Sequence, residues 1–391
     1  MTDDGQREGR QKVLIAGGGI AGIEAALALC DLAGDRVEVN LRDPRHEFIF
    51  RPFAVGEPYG AARVFRYDLQ QVAERCGASF EADGIVSVDP NRRLAATRDG
   101  EHLPYDYLVI AGGVRMLAAV PGAVTFWGVA DEGQVGDVIT DLRAGSLRRL
   151  VFTMPGGRSW ALPLYELALL AMSEVAKASH RTRLTVVTPE DAPLELFGRR
   201  AGEQMSGLLE DRGIEVVSGA HPVKFENGRL RIAPGEEVEA DAVISLPRLE
   251  GRRIAGVPHD DEGFIGVDEH CRAIGLERVF AAGDVTAFPV KQGGIATQQA
   301  DVVAEAIAAE VGAGVDPRPF DPILRGVLWT GREPRYLYGR PTGGHGEMSS
   351  LGERPPWPPQ DGKVIGRYLA SFVDSLADDS QAAPVGSPST P

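Results

Sequence analysis

Three cysteines, Cys30, Cys76 and Cys271, stand in a chain of 391 residues, and none forms a Cys-x-x-Cys pair. That scarcity argues against a disulfide framework and a dithiol redox centre, and it fits a reducing cytoplasm. Long apolar runs are missing as well: none approaches the roughly 18 residues that a membrane span needs. The amino-terminal stretch MTDDGQREGRQK has no apolar core, so no signal peptide is expected. Positive charge is in short supply, with 41 Lys and Arg against 56 Asp and Glu, a net charge of −15 and an isoelectric point near 5.0. Such a body offers no broad basic footprint for nucleic acid and repels anionic lipid. Metal-ligand spacing is also lacking. His259-Asp260-Asp261-Glu262 and Asp268-Glu269-His270 hold neither an i, i+4 histidine pair nor cysteine spacing, and they read as solvated turns.

What the chain has in plenty is glycine, 48 residues, many directly after apolar runs. There the backbone turns sharply or comes close to a ligand. With 43% hydrophobic and 25% charged residues the composition is that of a globular protein. The length predicts two or three domains rather than one core.

A short apolar run at 12–16 predicts a strand that ends in Gly17-Gly18-Gly19-Ile20-Ala21-Gly22. A helical pattern follows, with Ile20, Ile23, Leu27 and Cys30 on one face, and then a second strand at 36–41 shortly before Asp43. In this order the glycines have distinct tasks. Gly17 permits the tight turn, Gly19 lets a pyrophosphate approach the backbone, and Gly22 allows the helix to pack closely on the strand. Asp43 follows Gly22 by about 20 residues, placed to accept hydrogen bonds from ribose hydroxyls. The set predicts a dinucleotide site.

Val279-Phe-Ala-Ala-Gly283-Asp284 indicates which dinucleotide. An apolar strand ending in Gly-Asp can set one carboxylate at the ribityl chain of a flavin. Lys291-Gln-Gly-Gly294-Ile295-Ala then opens a helix predicted over 294–310, whose positive end can face the flavin pyrimidine and stabilise negative charge there. FAD is the expected cofactor. Between these motifs the pattern restarts: strand 150–154, helix 163–177, and strand 184–188 ending at Pro189-Glu190 form a second βαβ unit. The fold class expected is α/β, with two Rossmann-like three-layer dinucleotide-binding domains and a small carboxy-terminal segment. The FAD domain is expected to be split into 10–115 and 252–314, enclosing a second, NAD(P)-like domain at 116–251. An interface segment at 315–377 and a disordered tail at 378–391 complete the chain.

These residues resemble the FAD-dependent pyridine nucleotide-disulfide oxidoreductase superfamily over roughly residues 10–370. The likeness is greatest to the branch of type II NADH dehydrogenases and sulfide:quinone oxidoreductases. By position, Gly17, Gly19, Ile20, Gly22 and Asp43 match the amino-terminal FAD fingerprint. Ala111, Gly112 and Gly113 match a short Ala-x-Gly turn, and Gly283 and Asp284 match the carboxy-terminal FAD motif. The resemblance implies that Arg51 and Pro52 border the flavin ring and that Gly294 and Ile295 face its pyrimidine end.

The departures bear on the reaction. An intact second glycine fingerprint is replaced by Met154-Pro-Gly-Gly-Arg-Ser-Trp-Ala-Leu-Pro163-Leu164-Tyr165-Glu166, with leucine where the third glycine belongs and a proline that removes an N–H donor. NAD(P)H binding therefore stays open, with Glu190 a candidate for a ribose hydroxyl. A sulfide-oxidising relative needs cysteines beside the flavin. Here Cys30 reads as core packing, Cys76 as a helix end and Cys271 as a turn residue. Glu166, with Tyr165, is a candidate proton relay to an acceptor, and Lys291 a candidate for holding negative charge. Glu166 can equally be a helix-surface residue beside a core tyrosine, and Lys291 can as easily be solvated.

The expectation is an FAD-dependent oxidoreductase passing electrons from NAD(P)H or another small donor to a quinone or similar acceptor. An FAD-binding sensor or assembly protein without turnover is the alternative, and sulfide:quinone and disulfide reductase activities have less support. The expected location is cytoplasmic. A helix predicted over 364–376 groups Tyr368, Leu369, Phe372, Val373 and Leu376 on one face, which can either touch the inner face of a membrane or cover its own domain. Oligomeric state is not legible.

Overall fold

The structure is a computed structural model that describes residues 9–128, 133–178, 181–341, 349–357, 363–364 and 366–382. Its helices are α1 (Ile20–Ala33), α2 (Leu69–Arg75), α3 (Gln134–Arg143), α4 (Leu162–Ala178), α5 (Arg199–Asp211), α6 (Gly293–Glu310) and α7 (Leu369–Ala382).

The first sheet is parallel, in the order Val279–Ala281, Tyr107–Ile110, Gln11–Ala16, Val37–Arg42, Ser79–Glu81. Its central strands bury side chains on both faces, which is why Val13, Leu14 and Ile15 run as an unbroken apolar string. Helices α1 and α6 lie side by side on one face, with α2 and α7 joining the same core. The other face carries an antiparallel meander of Ile85–Asp89, Leu94–Thr97 and His102–Pro104. Gln11–Ala16 sits where the chain order reverses, so the loop after it opens into the crevice at the carboxyl ends of the strands.

The second sheet repeats the plan. Val124–Thr125, Ala242–Ser245, Arg149–Thr153, Arg183–Val187 and Ile214–Val217 are parallel neighbours in that order. Helices α3 and α4 cover one face, and a meander of His221–Glu226, Arg229–Ala233 and Glu237–Glu239 covers the other. The chain passes between the two sheets through an antiparallel ribbon of Val114–Leu117 and Arg248–Gly251. A last antiparallel sheet, Leu324–Leu328, Arg335–Gly339 and Ser349–Gly352, follows the proline-rich stretch at 317–322.

The short strands Ser79–Glu81 and Ile85–Asp89, three residues apart, belong to two different sheets. Several expectations need correction. The carboxy-terminal helix begins at Leu369 rather than at 364 and runs to Ala382, so the first five residues of the expected tail are helical. The remainder of that tail lies outside the described residues. The apolar face of α7 is used internally: Leu369, Val373 and Leu376 are buried in the core shared with α1. Among the described residues no helix is long and apolar enough to cross a membrane.

Candidate active site

A cavity of about 780 Å³ runs from the crevice of the first sheet to the junction with the second. At one end stands the glycine turn. Gly17 has φ +128°, and a Cβ there would lie 2.3 Å from the Ala111 carbonyl oxygen. A Cβ on Gly22 would lie 1.8 Å from the Gly17 carbonyl oxygen, so this glycine sets how closely α1 meets its strand. Gly19 differs: its missing Cβ faces open space, with no protein atom within 4 Å. The amino terminus of α1 carries no capping side chain, which leaves backbone N–H groups turned toward the cavity.

Asp43 is buried behind this turn. Its carboxylate accepts the Gly18 N–H at 2.8 Å and a bidentate pair from Arg45 at 2.9 and 2.8 Å. Burial works against its charge, but the Arg45 guanidinium and these N–H groups hold it below the usual carboxylate range.

Farther along, Arg51, Pro52, Ala111, Gly112, Gly283 and Asp284 line the walls. The Asp284 carboxylate makes no hydrogen bond to any described residue. Burial pushes its pKa up, partly offset by Lys291 and Arg51. Lys291 is 5% exposed, and its ammonium donates to the Thr286 carbonyl at 2.5 Å and sits 4.0 Å from the centre of the Phe264 ring. Burial lowers its pKa to about 8, with Asp284 pulling the other way. At the start of α6 the wall is formed by Gln292, Gly293 and Ala296. Gly294 and Ile295 do not line it. The helix begins one residue earlier than expected, and Ile295 turns into the core beneath the second sheet. The buried Gln292 Oε1 has no hydrogen-bond partner among the described residues.

The far end is closed by Glu166. It is 1% exposed, and its Oε1 accepts the Trp329 N–H at 2.9 Å and the Lys363 ammonium at 2.6 Å. Lys363 also lies 4.2 Å from the centre of the Trp329 ring. Burial raises the Glu166 pKa, and Lys363 opposes that shift. Sequence reasoning missed Lys363, because nothing local distinguishes it and it reaches Glu166 across 197 residues of chain. Tyr165 does not face the cavity. Its hydroxyl donates to Glu190 at 2.5 Å inside the second unit, and Thr188 occupies the same carboxylate oxygen. Burial raises Glu190 to about 7.

The altered second loop is tied down across the junction. Arg158 pairs with Asp260 at 2.8 Å and with Glu262, and Ser159 exchanges backbone hydrogen bonds with Pro289 and Lys291. Leu164, in place of a glycine, is 1% exposed core. None of the cysteines lines the cavity. Cys30 packs beside the first core, and Cys76 and Cys271 are buried, their thiols each pushed up to about 12 chiefly by burial.

An extended dinucleotide fits what is present: an uncapped helix terminus, open space over Gly19, a carboxylate at the second strand, and a partnerless carboxylate at the Gly-Asp turn. Comparisons with known proteins agree. The family model for pyridine nucleotide-disulphide oxidoreductases matches residues 11–308. An NADH dehydrogenase-like protein of Mycobacterium tuberculosis is 25% identical over 301 residues, covering 71% of this chain and 73% of the relative. The sulfide-quinone reductase of Aquifex aeolicus is 23% identical over 301 residues, covering 71% and 69%. The solved structure of the sulfide:quinone oxidoreductase from that bacterium superposes with a TM-score of 0.80 at 21% identity, over 95% of this chain and 90% of the other. The chain belongs to the pyridine nucleotide-disulphide oxidoreductase family and is an FAD-dependent oxidoreductase.

Proposed function

We propose that this protein passes electrons through FAD to a quinone or similar small acceptor, which takes its proton from the Glu166–Lys363 pair. The observation that carries this reading is that buried ion pair, which shares one cavity with the FAD-type glycine turn. Burial raises the Glu166 pKa, and the Lys363 ammonium on Oε1 compensates the carboxylate left once a proton is given up, so Glu166 can deliver a proton to an acceptor from its second carboxyl oxygen. In this reading FAD supplies a two-electron carrier. Gly19 and the uncapped start of α1 would admit its pyrophosphate, Asp43 and Arg45 would hold the adenosine ribose, and Asp284 would meet the ribityl chain. Lys291 and the start of α6 at Gln292 and Gly293 would lie toward the pyrimidine end.

The donor reaches the face lined by Met154, Pro155, Trp160 and Pro163. NAD(P)H would need the loop held by Arg158 to open and Glu190 to exchange its tyrosine partner. A small donor other than a dinucleotide needs neither change. Anaerobic stopped-flow mixing of the oxidised protein with NADH, NADPH and sulfide in turn identifies the donor by bleaching of the flavin band. Reoxidation by a soluble quinone then tests the acceptor side: Glu166→Gln should slow it by about 10²–10⁴-fold. Quinone reoxidation at the wild-type rate in that variant would remove Glu166 from the reaction.

A further inference from the structure

Lys363 is brought to the cavity by a segment whose anchor lies elsewhere. Next to it, Val364 packs over the start of both helices of the first unit: a Cβ on Gly293 would meet Val364 at 2.8 Å and Ile20 at 3.1 Å. A few residues on, the chain is fastened to α1 and α6. Glu24 of α1, 0% exposed, accepts the Tyr368 N–H at 3.0 Å and the Leu369 N–H at 2.6 Å, and so caps α7 from a neighbouring helix. The Tyr368 hydroxyl donates to Asp31 at 2.7 Å, and Arg367 pairs with Glu305 at 3.3 Å. Facing Glu24 across the α1–α6 contact stands a second carboxyl, Asp301 of α6, whose charge acts on it, and Asp301 Oδ1 is buried with no partner among the described residues.

We propose that the Glu24–Asp301 carboxyl pair is a proton-dependent latch that docks the carboxy-terminal segment and thereby positions Lys363 against Glu166. The inference rests on the reading of Glu166 and Lys363 given above. Two facing carboxyls cannot both be ionised cheaply in a buried site. Glu24 already takes two backbone N–H groups, so it is the member that stays charged, and Asp301 carries the shared proton. The other charges at the site are Arg367, which faces Asp301 from the docked segment, Glu305 on α6, and Arg318 from the linker, which Glu305 holds at 2.6 Å. The Cys76 thiol of α2 lies in the field of Glu24, and the Tyr368 hydroxyl in that of Asp301. Burial, with Glu24 adding to it, pushes Asp301 up to about 8. Docking is then at full strength below the ordinary carboxylate range. It weakens as pH rises above that range and reaches its floor once pH has passed about 8.

The test uses the full-length, FAD-loaded protein and hydrogen–deuterium exchange of peptides covering residues 366–377, with rates corrected for intrinsic exchange. Protection should fall on the order of tenfold or more between pH about 6.5 and 9 in the wild type. Asp301→Asn keeps the hydrogen-bond donor without the charge, so its protection should change less than about threefold over the same range. Glu24→Ala should be unprotected at both pH values; Glu24→Gln, which keeps one acceptor oxygen, should fall between and serves if the alanine variant does not fold. Acetic-anhydride labelling of Lys363 at pH about 9 gives a second readout, expected to be roughly tenfold faster in the wild type than in Asp301→Asn. Wild-type protection that does not change with pH, or an Asp301→Asn variant that follows the wild type, would overturn the latch. Neither readout needs a donor or an acceptor, so failure of the quinone reading leaves both outcomes interpretable.

Discussion

Lys363 and Glu166 form an ion pair with side chains only 7% and 2% exposed. Removing one member of such a pair leaves a buried charge without compensation, whereas removing both does not. Lys363→Met should therefore lower the unfolding free energy of the FAD-loaded protein by about 3–5 kcal/mol. The double variant Glu166→Gln/Lys363→Met should recover most of that loss. Urea titrations of the three proteins check this, and equal losses in single and double variants would show that the pair is not coupled. Glu190 gives a separate expectation. Its folded pKa is raised to about 7, so its stabilising contribution is complete below the ordinary glutamate range and is lost as pH climbs through that value. Glu190→Gln keeps an acceptor for the Tyr165 hydroxyl and cannot ionise. It should be more stable than the wild type at pH 8 by about 1–3 kcal/mol and nearly equal near pH 4.5. Melting temperatures measured across that range decide the point.

The start of α1 separates ligand binding from folding among residues of one type. A side chain at Gly19 meets no protein atom but projects into the cavity, while one at Gly22 strikes the Gly17 carbonyl oxygen. Gly19→Val should abolish FAD retention on purification and leave the melting temperature of the flavin-free protein within a few degrees of the stripped wild type. Gly22→Ala should destabilise the flavin-free protein itself, by about 1–3 kcal/mol or more, because the helix must move off its strand. If the two variants lose flavin and stability in parallel, the assignment of separate roles fails. Elements also explain what was hard to foresee. Helices α3 and α5 are amphipathic and lie outside the glycine motifs, and the start of α6 moved by one residue, enough to exchange Gly294 and Ile295 for Gln292 and Gly293 at the cavity wall.

Across the whole molecule the net charge is −15, yet exposed Arg45, Arg51, Arg98, Arg252 and Arg253 line the cavity. Screening confines the reach of exposed charges to about 8–10 Å at ordinary salt, so a ligand entering the cavity meets this local set rather than the net charge. Reduction of ferricyanide by the flavin-reduced protein should accordingly slow as ionic strength is raised from about 0.02 to 0.5 M. A rate that rises with salt would mean that the overall negative charge governs encounter.

The glycine turn of the first sheet was legible in the sequence because its determinants are local. A glycine that must turn, a glycine that must leave space and an acid at the next strand end are fixed by short-range sterics; Gly17, Gly19, Asp43, Gly283 and Asp284 line one cavity, and Gly22 sets α1 against its strand. The doubling of the parallel sheet followed from hydrophobic periodicity for the same reason. What only the tertiary structure decided lies between distant segments. It turned Tyr165 toward Glu190, tied the second loop to the first unit through Arg158, set Lys363 on Glu166, and buried the apolar face of α7 against α1. Contacts of that kind depend on which surfaces meet after folding, and no pattern within a single element encodes the partner on another.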